Sequence, residues 1–258
     1  MRLVIFTDLD GTLLDHDTYS HAPAAQALAA LKAAGVPLVL ASSKTGAEMA
    51  PLHAELGLGD APMIVENGAG VLEPGADGAG DAAYRKIRAA LDSVPPDLRA
   101  HYRGFGDMTD AEVSDVTGLP PEGAALARQR CHSEPGVWSG DDAALARFLD
   151  ALDGQGVSAR HGGRFLTLSL GRTKADAMRE VADRLGADTT IALGDAPNDV
   201  EMLEQATHGV IVRNDHGTPL PRLAGEENDR IRRTAETGPS GWNAAVLALL
   251  QDLGATTG

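Results

Sequence analysis

Apolar and polar residues fall into alternating blocks over the first 41 positions. Leu3-Val4-Ile5-Phe6 is a short unbroken apolar run that ends at a polar turn, the pattern of a strand buried on both faces. Residues 24–34 follow, Ala-rich with Leu28 and Leu31, and stop at Gly35, which predicts a helix with a glycine end. Residues 36–41 (VPLVLA) turn apolar again. Such β-α-β alternation predicts a parallel, doubly wound sheet, whose ligands gather at the carboxyl ends of its strands. The polar residues directly after each strand therefore carry the interest.

The same grammar returns late. Residues 174–185 place Met178, Val181 and Leu185 on one helical face, Gly186 closes that helix, and Thr190-Ile191-Ala192-Leu193 leads into Gly194-Asp195. Gly209-Val210-Ile211-Val212 reads as a last strand. Between the two halves the pattern changes: a glycine-rich stretch at 74–80, then helices near 82–92, 121–130 and 141–153. Strand-like runs at 157–161 and 164–170 are joined by Gly162-Gly163, a two-residue hairpin signal. Residues 82–170 thus read as an α+β insertion with antiparallel strands, a cap, within a core formed by 1–81 and 171–258. A chain of 258 residues has room for both.

Composition narrows the class. With 43% hydrophobic and 23% charged residues the chain can bury a full core, which excludes disordered and fibrous classes. A net charge of −15 repels polyanions, so neither nucleic acid nor an anionic membrane is expected as a partner. Cys131 is the single cysteine, so no internal disulfide and no cysteine metal cluster is available. The first apolar run is far too short for a signal segment or a membrane span, and a cytoplasmic protein is expected. Lysines are only Lys32, Lys44, Lys86 and Lys174, so one placed at a strand end or helix start is less easily set aside as surface filler.

Four strand ends carry candidate chemistry. After the first strand comes Asp8-Leu9-Asp10-Gly11-Thr12; two carboxylates two residues apart repel and need a cation to stay ionised together. Mg2+, a hard ion, suits such oxygen donors. One carboxylate of the pair could attack phosphorus while the other moves protons; an Asx turn closing the strand is the plainer alternative. Asp15 and Asp17 read as solvated. After the second strand, Ser42-Ser43-Lys44-Thr45 enters a helix whose free amides suit phosphate, while Thr45-x-x-Glu48 matches a capping box. Pro51 then requires a late helix start or a kink. Lys174 opens its helix at the end where the macrodipole favours an anion, so an anionic partner would explain it. Finally, Gly194-Asp195-Ala196-Pro197-Asn198-Asp199 offers two carboxylates, of which one N-cap accounts for only one.

In this order, DLDGTLL, the Ser42 loop, Lys174 and GDAPND resemble the four motifs of haloacid dehalogenase superfamily phosphatases, of the type with a large α/β cap between the second and third. ASSKTGAEM, RQRCHSEPGVW, HGGRF, GDAPNDVEML and GPSGWNAAVLALL look like the mannosyl-3-phosphoglycerate phosphatase family. Cys131-His132 and the glycine-rich 66–80 segment depart from that pattern. The resemblance implies a Mg2+-dependent phosphatase acting on mannosyl- or glucosyl-3-phosphoglycerate, a small phosphorylated carbohydrate acid, as a monomer or homodimer. Asp8 would be the nucleophile and Asp10 the acid and base. The ion would be held by the Asp8 carboxylate, the Asp10 carbonyl and Asp195, with Asp199 behind them. Ser42, Ser43 and Lys174 would hold the phosphoryl group. In the cap, Arg130, Ser133, Glu134, His161 and Arg164 would meet the rest of the substrate, since arginine matches carboxylate in a bidentate way. A broader sugar-phosphate phosphatase or a phosphomutase is the alternative enzyme. A non-catalytic phosphometabolite sensor would be favoured by a missing motif carboxylate, and Asp8, Asp10, Asp195 and Asp199 are all present. His16, His21, His53, His101, His208 and His216 show no metal-ligand spacing and read as surface or loop residues; Trp138 and Trp242 read as packing.

Overall fold

A computed structural model describes residues 1–75, 80–162 and 164–255. Part of the 74–80 stretch and the second glycine of the Gly162-Gly163 turn lie outside the described residues. The strands are β1 (Leu3–Thr7), β2 (Leu38–Ala41), β3 (Met63–Val65), β4 (Gly70–Leu72), β5 (Tyr102–Gly104), β6 (Ser133–Trp138), β7 (Ser158–Gly162), β8 (Phe165–Ser169), β9 (Thr189–Gly194), β10 (His208–Arg213) and β11 (Ile231–Thr237).

Seven of these form one sheet in the order β11-β10-β9-β1-β2-β3-β4, parallel throughout except for the β3–β4 hairpin. β1 is central, and Phe6 stands opposite Val39 on one side and Ala192 on the other. All five of its residues are buried, as a strand covered on both faces requires. Alternation then divides it: Leu3 and Ile5 join one core with Leu31, Trp242 and Val246, while Val4 and Phe6 join another with Met178, Val181 and Met202. Helices Ala25–Ala34 and Gly238–Asp252 cover the first face, and Lys174–Leu185 with Val200–Gln205 the second.

Between β4 and β9 an antiparallel sheet, β5-β6-β8-β7, forms the α+β cap. Its core joins Tyr102, Leu166 and Leu168 to Ile87 and Leu91 of helix Ala82–Ser93 and to Phe148 and Leu152 of helix Asp142–Asp153. The whole is a parallel core sheet with an inserted α+β cap, as the alternation of the sequence predicts.

Several expectations change. Helix Gly46–Glu55 starts directly after Thr45 and runs through Pro51, because the Thr45–Glu48 capping box anchors its first turn and the proline ring faces solvent. The helix expected near 121–130 ends at Ala127, with Arg128 to Arg130 outside it. The strand at 208–213 is not the last. β11, mostly exposed and rich in charge, pairs parallel to it at the sheet edge, and its IRRTAET sequence lacks the apolar run by which the other strands were found.

Candidate active site

Each expected core residue sits where a strand ends. Asp8 follows β1, and its amide donates to the Leu193 carbonyl of β9 (2.9 Å). Ser42 follows β2, with its amide on Ile64 (2.9 Å). Asp195 follows β9, and Asp199 closes the short turn after it. Lys174 is the first residue of its helix, where Thr173 and Asp176 form a capping box; Asp176 answers the helix dipole and leaves the ammonium free to point at the sheet.

These residues meet. Lys174, 1% exposed, donates from Nζ to Asp8 Oδ1 (2.6 Å) and Asp199 Oδ1 (2.7 Å). Oxygens of Asp8, Asp195 and Asp199 lie within 4.8 Å of one another. Asp199 Oδ2 is taken by the amides of Asp195 (3.2 Å) and Ala196 (3.0 Å), so this carboxylate is fixed by the turn and by the lysine. Asp195 accepts from Thr12 Oγ1 (2.6 Å) and Asn214 Nδ2 (2.8 Å). Gly11 must be glycine here: its φ is +81°, and a Cβ would lie 2.3 Å from Asn214 Nδ2.

Charge does not balance in this cluster. Burial, joined by the carboxylates of Asp199 and Asp195, pushes the Asp8 carboxyl well up despite Lys174. Burial also raises Asp195, against its bonds from Asn214 and Thr12. Burial opposes the Lys174 ammonium, yet Asp199 and Asp8 hold it above its usual range. Three buried carboxylates facing one ammonium make an all-oxygen, net-negative donor set, which fits a hard divalent cation.

Asp10 points elsewhere. Its Oδ2 pairs with Lys44 Nζ (2.8 Å), and its Oδ1 is buried without a partner. Lys44 belonged to the quoted motif but was given no role; the scarcity of lysines was its signal. Thr12 and Asn214 were also missed, although Asn214 directly follows β10 and obeys the same strand-end rule. Trp242 does more than pack: its Nε1 donates to Thr7 Oγ1 (2.9 Å) beside Asp8. His53 is buried rather than superficial, with its Nε2 on the Ala61 carbonyl (2.7 Å). His16 and His216, distant in sequence, stack at 4.2 Å between centroids on the exposed surface.

The cap residues separate into three groups. Arg130 Nη1 donates to the Ser43 carbonyl (2.9 Å), so the guanidinium reaches the loop after β2. Ser133 and Glu134 are buried and engaged within the protein: Ser133 Oγ donates to Glu66 Oε2 (2.7 Å), and Glu134 accepts from Arg88 (2.8 Å) and the Gly106 amide (2.9 Å). His161 and Arg164 are exposed at the β7–β8 hairpin, and Arg164 Nη2 donates to the Thr117 carbonyl (2.9 Å). Among the described residues no hydrogen bond joins either of them to the strand-end cluster.

A family model described as haloacid dehalogenase-like hydrolase matches residues 5–79 and 142–218, more than half of the chain. Solved structures similar in fold include the sucrose-phosphatase of Synechocystis sp. PCC6803, at 15% identity and TM-score 0.62, covering 98% of each chain. A haloalkanoate-superfamily phosphatase of Bacteroides thetaiotaomicron matches at 19% identity and TM-score 0.66, over 99% of this chain and 96% of its own. A subclass IIB sugar phosphatase matches at 18% identity and TM-score 0.63, over 98% and 99%.

Proposed function

Because the chain belongs to the haloacid dehalogenase-like hydrolases, we propose that it is a Mg2+-dependent phosphatase that hydrolyses mannosyl- or glucosyl-3-phosphoglycerate to the glycosylglycerate and inorganic phosphate. The observation that carries this reading is the Lys174 ammonium bonded to both Asp8 and Asp199 beside Asp195, a negative, all-oxygen cluster at the carboxyl edge of a parallel sheet.

In this reading the Asp8 carboxylate attacks phosphorus and the P–O bond to the glycerate oxygen breaks, while Asp10 gives its proton to the departing alkoxide. Water then attacks the phosphorus of the aspartyl-phosphate, Asp10 takes the water's proton, and the P–O bond to Asp8 breaks. Lys174 orients Asp8, and with Ser42 and the Ser43 backbone it holds the phosphoryl oxygens. Mg2+, held by the Asp8 carboxylate, the Asp10 carbonyl and Asp195 with Asp199 behind them, supplies positive charge against those oxygens. The cap, residues 82–170, selects the leaving group, with Arg130, His161 and Arg164 as its free or boundary polar groups. The core, 1–81 and 171–258, does the chemistry. In this reading the enzyme works in the cytoplasm as a monomer or homodimer. No helix among the described residues is long and apolar enough to cross a membrane.

Phosphate release from both glycosyl-3-phosphoglycerates should vanish in Asp8→Asn and with EDTA, and return with Mg2+; turnover that persists in either case rejects the mechanism. A broader sugar-phosphate phosphatase is the second reading, supported by the sugar-phosphatase structures among the similar folds. Comparing kcat/KM across a panel of sugar phosphates and glycosyl-phosphoglycerates decides between them.

A further inference from the structure

Glu66 and Asn67 follow β3 at φ +52° and +60°, a backbone region that non-glycine residues seldom adopt. Strain at two consecutive residues persists only where the surroundings over-determine it. Here they do. The Glu66 amide donates to the Lys44 carbonyl and the Asn67 amide to the Ser42 carbonyl, each at 2.9 Å, so the segment closes back on the loop after β2. Asn67 Oδ1 accepts from Asn198 Nδ2 (2.9 Å), one residue before Asp199. Gly68, at φ +89°, lies against the start of the next helix so closely that a Cβ would stand 2.1 Å from the Thr173 carbonyl oxygen and 2.3 Å from the Lys174 amide nitrogen. Three successive residues thus touch three of the four strand-end sites.

The Glu66 carboxylate turns the other way. It is 3% exposed, and its partners all lie at the start of β6: Oε1 accepts from the Cys131 amide (2.9 Å), and Oε2 from the His132 amide (3.2 Å) and Ser133 Oγ (2.7 Å). No salt bridge among the described residues neutralises it. A buried carboxylate satisfied only by amides and a hydroxyl of the other sheet is a costly arrangement to keep unless those contacts matter. Among the described residues the bonds from Thr45 Oγ1 to the Leu126 carbonyl (3.0 Å), Arg130 Nη1 to the Ser43 carbonyl (2.9 Å) and Arg160 Nη1 to Glu201 Oε1 (3.3 Å) also cross this boundary, but none of them ends on a carboxylate buried between the two sides.

We propose that Glu66 is a positioning residue: its carboxylate docks Cys131, His132 and Ser133, where the chain enters β6, onto the loops that hold the phosphoryl group, so that a substrate spanning cap and core is gripped only while this contact is made. The kinetic consequence rests on the phosphatase reading; the structural one does not.

Hydrogen exchange on full-length Glu66→Ala should show the Cys131 and His132 amides exchanging about tenfold faster or more, as loss of charge-assisted bonds requires, with the Leu168 amide of β8 unchanged. On a glycosyl-3-phosphoglycerate the same variant should raise KM about tenfold with a smaller change in kcat. A residue needed only for folding would lower kcat through the active fraction and leave KM alone. Should Glu66→Ala fail to fold, Glu66→Gln keeps one carbonyl acceptor, so His132 exchange should rise while Cys131 stays protected. Unchanged exchange at both amides, or a kcat loss at constant KM, overturns the proposal. A wild-type protein inactive on every phosphate ester would reject the phosphatase reading alone, because exchange still decides the docking role.

Discussion

Two charge clusters, one in the cap and one in the core, differ in how their charges balance. In the cap, Arg88 bonds Asp107 (2.6 Å) and Glu134 (2.8 Å), and Arg99 bonds Asp107 (2.8 Å), two guanidiniums facing two carboxylates. In the core, Lys174 alone faces Asp8, Asp195 and Asp199. Burial works against Asp107, yet its bonds from Arg88 and Arg99 keep it below the usual carboxylate range; burial raises Glu134 despite Arg88, as it raises Asp8 and Asp195 in the core. A balanced cluster is complete as it stands and holds a sheet together. One that is short of positive charge is left with a shortfall that a ligand could fill, and that shortfall is the ground for proposing the core cluster as the functional one.

The contrast can be broken at several points. Replacing Lys174 by Met removes the cation that bonds Asp8 and Asp199 and should cost at least about 10³-fold in kcat, read by phosphate release; retention of most activity would remove the ammonium from the chemistry. In the cap, Arg88→Met leaves Glu134 buried without its charge partner and should cost about 3 kcal/mol in urea unfolding, with Arg88→Met/Glu134→Leu regaining part of it. A loss confined to activity would mean that the cap cluster is not structural.

A smaller effect separates the clusters by pH. Because Asp8 and Asp195 titrate above their unfolded range, their ionisation weakens the metal-free fold as pH climbs from near 3.8 toward the raised values. Asp195→Asn should therefore gain stability over the metal-free wild type, on the order of 1 kcal/mol at pH 7 and less at pH 4, while losing the rise in Tm that Mg2+ gives the wild type. A larger gain at pH 4 would reverse the sign and refute the repulsion. Least of all, Asn214→Ala loosens one bond to Asp195 and should weaken Mg2+ affinity by about tenfold, measured by calorimetry.

Much of this was legible in the order of residues. Apolar runs found β1, β2, β9 and β10 because strands covered on both faces must be continuously apolar, and the strand-end rule found Asp8, Ser42 and Asp195. β11 escaped because, at the sheet edge, Ile231 is its one buried residue and the rest of IRRTAET carries no apolar run. Asn214 escaped although the strand-end rule points to it, and Thr12 because its bond to Asp195, 183 positions away, leaves no mark on local pattern. Glu134 misled for the opposite reason: a carboxylate next to a motif serine looks exposed until Arg88, 46 residues earlier, is folded against it.

The bond from Trp242 to Thr7 spans 235 residues. During synthesis the strand that presents Asp8 leaves the ribosome long before its indole partner exists, and before β9 and β10 are made. The inserted sheet, whose strands lie between Tyr102 and Ser169, is wholly translated by then. The region made in the middle can therefore settle first and the seat of Asp8 last, so a nascent chain stalled short of helix Gly238–Asp252 would carry a finished cap on an unfinished core.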